Sequence, residues 1–217
     1  MTLLGQVGFI GYTLADMSLI VVDQNLTEEM YRFTRDNLAL QKIAYIFASY
    51  PIFLLPIALV WLVWQKTSRW VAVKIFIGAI FTWQVMSKLA GEFFYTQFGF
   101  RDRPFAFAGI KELLLEQPQK AFPSDHAAVL LFVTCALFYY RQKTWAWIFL
   151  VATVLSSIAR VAIGFHFVGD ILGGWLIGVI GFGLLVALDR PLQRLLEKIW
   201  NLVSRKKYQS TNAPETS

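Results

Sequence analysis

Five long stretches of this chain carry no charged residue, and they restrict its fold more than any other feature. Ile43–Gln65 is the longest. Ile75–Ser87 is shorter, and Trp70–Val73 and Leu89–Phe94 extend it on either side. Ala127–Tyr140, Thr144–Ala159 and Ile171–Leu188 complete the set. At about 1.5 Å per residue, an apolar helix of roughly 20 residues crosses a hydrocarbon core of about 30 Å. None of the five alternates with period two, so they read as helices and not as strands of a barrel. Charged residues make up 16% of the chain, well under the roughly 25% of soluble domains. The expectation is an all-α, polytopic membrane bundle with five transmembrane helices.

The N-terminal segment Leu3–Val22 has the length of a span but carries Asp16, three glycines and several polar residues. A sixth span and a helix lying in the interface are both open, the interface fitting better. The following DQNLTEEMYRFTRDN reads as a polar loop. Residues 1–40 therefore form an N-terminal region, 41–190 a membrane domain and 191–217 a basic tail. In that tail LQRLLEKIWNLV has helical apolar spacing and is expected to lie along the membrane surface.

Connections assign the sides. QKTSRW after the first span, Arg141–Lys143 after the third and the tail after Asp189 alternate onto one face. That face collects Lys66, Arg69, Lys74, Arg141, Lys143, Arg190, Arg194, Lys198 and Arg205–Lys207, so the positive-inside rule makes it cytoplasmic. The formal charge of +6 thus reflects topology, and no nucleic-acid partner is expected. The start, MTLLGQVGFIGY, lacks a charged n-region and is not read as a cleaved signal peptide. Cys135 is the one cysteine, which excludes an internal disulfide and a cysteine-based metal cluster, and it reads as a buried inert thiol. The glycines of the fifth span, with Gly174 and Gly178 four apart, read as close helix packing.

This topology gathers polar residues that the sequence separates. The third span starts at His126, the fourth ends at Arg160 and the fifth starts at Asp170, all on the face opposite the basic one. Arg103 leaves the second span there, and His166 lies in the turn between the fourth and fifth. Both histidines of the chain therefore meet two arginines and an aspartate at one membrane face. Charges at this depth are costly unless paired or functional. His166 and Asp170 are four apart, so the carboxylate can fix the imidazole tautomer for a role as base or nucleophile. Arg103 and Arg160 suit bidentate recognition of phosphate oxygens. Ser124 and the first N–H groups of the third span add an anion site, and His126 beside them can donate a proton to a leaving oxygen. Each residue also has a plainer reading: Arg160 snorkelling, Asp170 capping a helix, FPSD serving only as an N-cap turn. Their convergence favours catalysis on a phosphate.

RDRPF, FPSDH and ARVAIGFHFVGD resemble the three signature motifs of the type 2 phosphatidic acid phosphatase (PAP2) superfamily. Those motifs run Lys-x6-Arg-Pro, Pro-Ser-x-His and Ser-Arg-x5-His-x3-Asp, and the likeness covers roughly residues 40–190. The PSDH form, with Asp125 as a further candidate site residue, is most similar to the bacterial undecaprenyl-diphosphate phosphatase branch. The resemblance implies a mechanism without metal or cofactor. In it His166 is the nucleophile that becomes a phosphohistidine, Asp170 orients it, and His126 is general acid and then base. Arg103, Ser124 and Arg160 would bind phosphate. Two positions depart from the pattern: Thr96 stands where the first motif has lysine, and Ala159 where the third has serine. Arg101 and Lys88 are candidate replacements for the missing cation.

The expected function is hydrolysis of undecaprenyl diphosphate, a polyisoprenyl diphosphate lipid, to the monophosphate. The expected setting is a bacterial inner membrane, with an extracytoplasmic site and a cytoplasmic C-terminus. Transfer of the phosphate to another lipid such as lipid A, and hydrolysis of phosphatidate or phosphatidylglycerophosphate, are the alternatives within the same chemistry. A small transporter with a His/Asp relay is the alternative of a different class, and it fits less well because the charges gather at one face and not at midplane.

Overall fold

The computed structural model describes residues 14–65, 69–99, 103–104 and 121–211, and every element among them is helical. Helix α1 runs over Leu14–Arg35 and α2 over Leu38–Ser49. The Asn37 carboxamide oxygen starts α2 by accepting from Ala39 N at 3.0 Å and Leu40 N at 3.1 Å, a side-chain N-cap. Pro51 has no N–H to continue the ladder, so the chain tightens into a 3-10 turn over Pro51–Phe53 before α3, Leu54–Trp64. The second span comprises α4, Arg69–Phe81, a π-helical segment Thr82–Ser87, and α5, Lys88–Phe98. Gly99 ends it at φ 78°, a backbone that favours glycine. Helices α6 (Asp125–Tyr139), α7 (Lys143–Ala162) and α8 (Val168–Thr211) complete the bundle.

Among the described residues, four helices are long and apolar enough to cross a membrane: Leu38–Trp64, Arg69–Phe98, Lys143–Ala162 and Val168–Leu202. The fifth expected span, α6, is apolar but only 15 residues long, about 22 Å. It is an interior helix of the bundle. Nine of its residues are buried, because α6 packs between α7 and α8 with α4 and the π segment alongside. A helix sheathed by others need not match the lipid thickness itself.

The stretch read as a polar loop, Asp23–Asn37, is helical through Arg35 as part of α1. Two of its polar residues, Thr27 and Thr34, are buried against the rest of the bundle, while Asn25, Glu29, Arg32 and Arg35 remain exposed. The tail read as lying along the membrane surface is helical and continuous with the last span. Helix α8 continues through Pro191 for 44 residues, about 66 Å. The Trp200 ring on this extension lies 6.0 Å from that of Trp70, and the Arg69 guanidinium sits 4.8 Å over Trp200. Cys135 is half-buried and not fully enclosed.

Two features hold the bundle in register. Helices α6 and α8 meet through glycine: an added Cβ at Gly174 would lie 2.5 Å from the Ser124 carbonyl oxygen, and one at Gly178 2.5 Å from that of Ala128. Such proximity permits close backbone packing and the dispersion contacts that drive association in lipid. At the end of the bundle away from Ser124, buried Lys74 on α4 pairs with Asp189 on α8 at 2.7 Å, and the Tyr140 hydroxyl donates to the same carboxylate oxygen. Around this frame the large apolar side chains Val60, Trp64, Leu89 and Phe93 point outward and are exposed, the face that lipid covers.

Candidate active site

The turn between α7 and α8 is built to present one imidazole. Gly164, at φ 75°, breaks α7. The backbone N–H groups of Phe165 (2.9 Å) and His166 (3.3 Å) then fold back onto the Arg160 carbonyl. This places His166 beside the helix it has just left. Its Nε2 lies 3.2 Å from Arg160 Nη2, and its Nδ1 lies 3.5 Å from Asp170 Oδ2. Asp170 Oδ2 also accepts from Phe167 N at 2.9 Å, so the carboxylate both caps α8 and faces the imidazole. The geometry of one oxygen is thus compatible with both the capping and the functional reading of Asp170.

Arg160 is clamped on its other side. Its Nη1 donates to the Ala48 carbonyl at 2.7 Å, in the last turn of α2. Arg103 enters from the loop after α5 and donates through Nη1 to the Phe165 carbonyl at 3.1 Å. The Arg160 guanidinium also stands 5.6 Å over the Phe165 ring. Arg103, Arg160, His166 and Asp170 are each at most 5% exposed, so snorkelling does not describe Arg160. Buried charges require partners, and these hold one another and backbone carbonyls.

Ser124 caps α6 through its backbone only. Its carbonyl accepts from Ala128 N at 3.0 Å and its N–H donates to the Asp170 carbonyl at 3.0 Å, joining the FPSD turn to α8. Its hydroxyl makes no capping bond. That hydroxyl is buried and without a hydrogen-bond partner among the described residues. An unsatisfied buried hydroxyl is costly, and Ser49, Thr82 and Ser156 share that condition among the described residues. His126, in the first turn of α6, feels the charges of Arg160, His166 and Arg103, and Asp125 feels that of Arg160.

The structure thus brings Arg103, Ser124, Asp125, His126, Arg160, His166 and Asp170 together at one end of the bundle. Lys88 is exposed on α5. Thr96, where the first motif has lysine, turns its hydroxyl to the Phe93 carbonyl at 2.9 Å. Arg101 lies outside the described residues. Ala159 packs with Tyr45, Ala48 and Phe165.

The sequence reading missed the supports. The Ala48 carbonyl had a signal, because a proline two residues past Ser49 interrupts an otherwise unbroken apolar run. Asp23, Thr27 and Thr34 also had one, since spacings of four and eleven put them on one face of a helix.

The sequence pattern of the PAP2 superfamily matches residues 72–194. The chain belongs to the PAP2 superfamily. That match covers more than half of its 217 residues. The chain is 25% identical over 187 residues to the bacitracin transport permease protein BcrC of Bacillus licheniformis, covering 83% of this chain and 88% of that one. It is 27% identical over 110 residues to the undecaprenyl-diphosphatase BcrC of Bacillus subtilis (strain 168), covering 49% of this chain and 56% of the relative. The fold is that of the crystal structure of a transmembrane PAP2 type phosphatidylglycerolphosphate phosphatase from Bacillus subtilis. The two superpose with a TM-score of 0.60 at 22% identity, over 83% of this chain and 89% of the other.

Proposed function

We propose that this membrane lipid phosphatase hydrolyses undecaprenyl diphosphate to undecaprenyl phosphate through a phosphohistidine. The observation that carries the reading is the state of the two His166 nitrogens: Nδ1 faces the Asp170 carboxylate at 3.5 Å and Nε2 faces an arginine at 3.2 Å. A proton held on Nδ1 toward Asp170 leaves the Nε2 lone pair for attack. The guanidinium beside it is where a phosphoryl oxygen would pair.

In the first step Nε2 bonds to the terminal phosphorus and the bond from phosphorus to the bridging oxygen breaks. The leaving group departs as undecaprenyl phosphate, with His126 supplying a proton where its oxygen requires one. In the second step His126 takes a proton from water, the water oxygen bonds to phosphorus, the N–P bond breaks and inorganic phosphate leaves. Arg103, Arg160, the Ser124 hydroxyl and the N-terminus of α6 stabilise the charge that builds on the equatorial oxygens. The substrate branch rests on the PSDH form of the second motif and on the names of the BcrC relatives.

The active end of the bundle is assigned to the extracytoplasmic side and the C-terminus to the cytoplasm of a bacterial cell, from the basic residues at the other end. Reporter fusions after Gln65 and near Lys111 test this; a cytoplasmic Lys111 reverses it.

The deciding experiment is phosphate release from undecaprenyl diphosphate by the purified protein in EDTA, with His166→Ala as control. Release that persists in EDTA and disappears in the variant is the expected result. Equal activity in the variant would remove the nucleophile assignment. Inactivity of the wild type on this lipid, with activity on phosphatidylglycerophosphate, would move the substrate.

A further inference from the structure

The N-cap residue of α8 has no side-chain oxygen of its own, and α1 supplies one. The N–H groups of Asp170 and Ile171 both donate to the Phe167 carbonyl, which makes Phe167 the N-cap residue. An N-cap normally contributes a side-chain oxygen to the N–H groups that open the helix. Phenylalanine has none. Asp170, at the third helical position, fulfils half of a capping box by reaching back to Phe167 N at 2.9 Å. The other half comes from α1. Asp23 Oδ1 accepts from Gly169 N at 2.8 Å, and Thr27 Oγ1 accepts from Val168 N at 3.3 Å.

Thr27 is itself aimed by donating its hydroxyl proton to the Asp23 carbonyl at 2.8 Å. At the far side of the turn the Thr34 hydroxyl donates to the Ala162 carbonyl, at the end of α7. One face of α1 therefore grips both ends of the segment that holds His166.

We propose that Asp23 is a positioning residue for the His166–Asp170 pair, acting as an N-cap in trans for α8. The proposal rests on the reading of His166 as nucleophile. Asp170 Oδ2 faces both Phe167 N and His166 Nδ1, so its place depends on a well-formed first turn. With Asp23 accepting from Gly169, that turn is closed and the carboxylate is held toward the imidazole. Without it, the orphaned N–H loosens the turn, and Asp170 moves with it. The carboxylate of Asp23 also complements the positive end of α8. By this reading α1, which precedes the matched family segment at 72–194, is part of the catalytic apparatus.

The test uses the full chain in detergent, with Asp23→Ala, Asp23→Asn and Thr27→Val beside His166→Ala. Asparagine keeps a neutral oxygen for Gly169 N. Asp23→Ala is expected to lower kcat by about 10- to 100-fold, the scale on which misplacement of a reacting group acts. KM is expected to move by less than about twofold, and rapid-quench should show slower phosphoenzyme formation. Asp23→Asn should recover most of the lost kcat, and Thr27→Val should fall between the two. Wild-type kcat in Asp23→Ala, a loss confined to KM, or an asparagine variant as slow as the alanine one would each overturn the proposal. Should Asp23→Ala fail to fold, Thr27→Val and Asp23→Asn decide by the same kcat criterion. An inactive His166→Ala alongside a wild-type-like Asp23→Ala refutes only the positioning role, whereas an active His166→Ala refutes the reading beneath it.

Discussion

Arg160 is tied to Ala48 across the bundle, its Nη1 donating to that backbone carbonyl at 2.7 Å. The bond exists because α2 ends at Ser49 and Pro51 cannot extend it, leaving carbonyls in the last turn for an outside donor. The second terminal nitrogen of the same guanidinium is then directed at His166 Nε2. A break in the first span thus sets the aim of a buried arginine on the fourth.

Substitution of Arg160 by lysine keeps the charge but not the fork. One ammonium group cannot hold the Ala48 carbonyl and face His166 in this planar arrangement. Arg160→Lys is expected to lower kcat by about 100-fold, the scale for loss of a preorganised donor to a charged transition state. Steady-state kinetics on the purified variant check this, with circular dichroism to show that it folds. Activity within about threefold of wild type would mean that charge alone suffices.

His126 separates two kinds of substrate. A diphosphate leaves as a phosphate, a good leaving group, whereas a phosphate monoester leaves as an alkoxide that needs a proton. General acid catalysis contributes roughly 10²–10⁴-fold where the leaving group is poor. His126→Ala should therefore lose most of its activity on phosphatidate. On undecaprenyl diphosphate it should still form the phosphoenzyme but hydrolyse it slowly, because the water is no longer activated. Rapid-quench kinetics should show a burst of about one product per enzyme followed by slow turnover. Equal losses in the first step on both lipids would exclude the acid role.

The fold and the site were legible to different degrees for physical reasons. Apolar length gave the membrane helices, and topology alone collected Arg103, His126, Arg160, His166 and Asp170 at one end. The expected fifth span, α6, is apolar as read but shorter than the other four, and it is wrapped by its neighbours. Polarity misjudged Asp23–Arg35, because Thr27 and Thr34 meet backbone groups of the α7–α8 segment and not water. A side chain whose partner is a backbone group 128 or 141 positions away leaves only its own spacing as a trace in sequence. The third motif was plain because Arg160, His166 and Asp170 lie within one turn and its flanks.

The α6–α8 contact predicts a graded response to side-chain size. At Gly178 an added methyl group would meet the Ala128 carbonyl oxygen at 2.5 Å, and backbone cannot swing aside as a side-chain tip can. Gly178→Ala is expected to cost about 1–3 kcal/mol. At Gly183 no atom lies within 4 Å, so alanine there should be neutral or stabilise by up to about 1 kcal/mol through helix propensity. Thermal unfolding of both variants in one detergent checks the pair. Equal midpoints would mean that the two helices separate more easily than their spacing implies.

The Lys74–Asp189 pair joins α4 to α8 at the end opposite the site. Lys74 is 5% exposed and Asp189 19%, so water can replace little of what either partner supplies. Asp189→Asn leaves a buried ammonium facing a neutral amide and deprives the Tyr140 hydroxyl of its charged acceptor. A loss of about 3 kcal/mol is expected, the scale for removing one partner of a buried pair. Removing both charges with Lys74→Met and Asp189→Leu should recover much of that loss, because the double variant has no unpaired charge to enclose. Thermal midpoints of the single and double variants, read as a cycle, measure the coupling. Phosphatase activity at a temperature where both remain folded should stay near wild type, since neither residue touches the His166 end. A double variant as unstable as the single one would show that the pair contributes net attraction beyond mutual neutralisation.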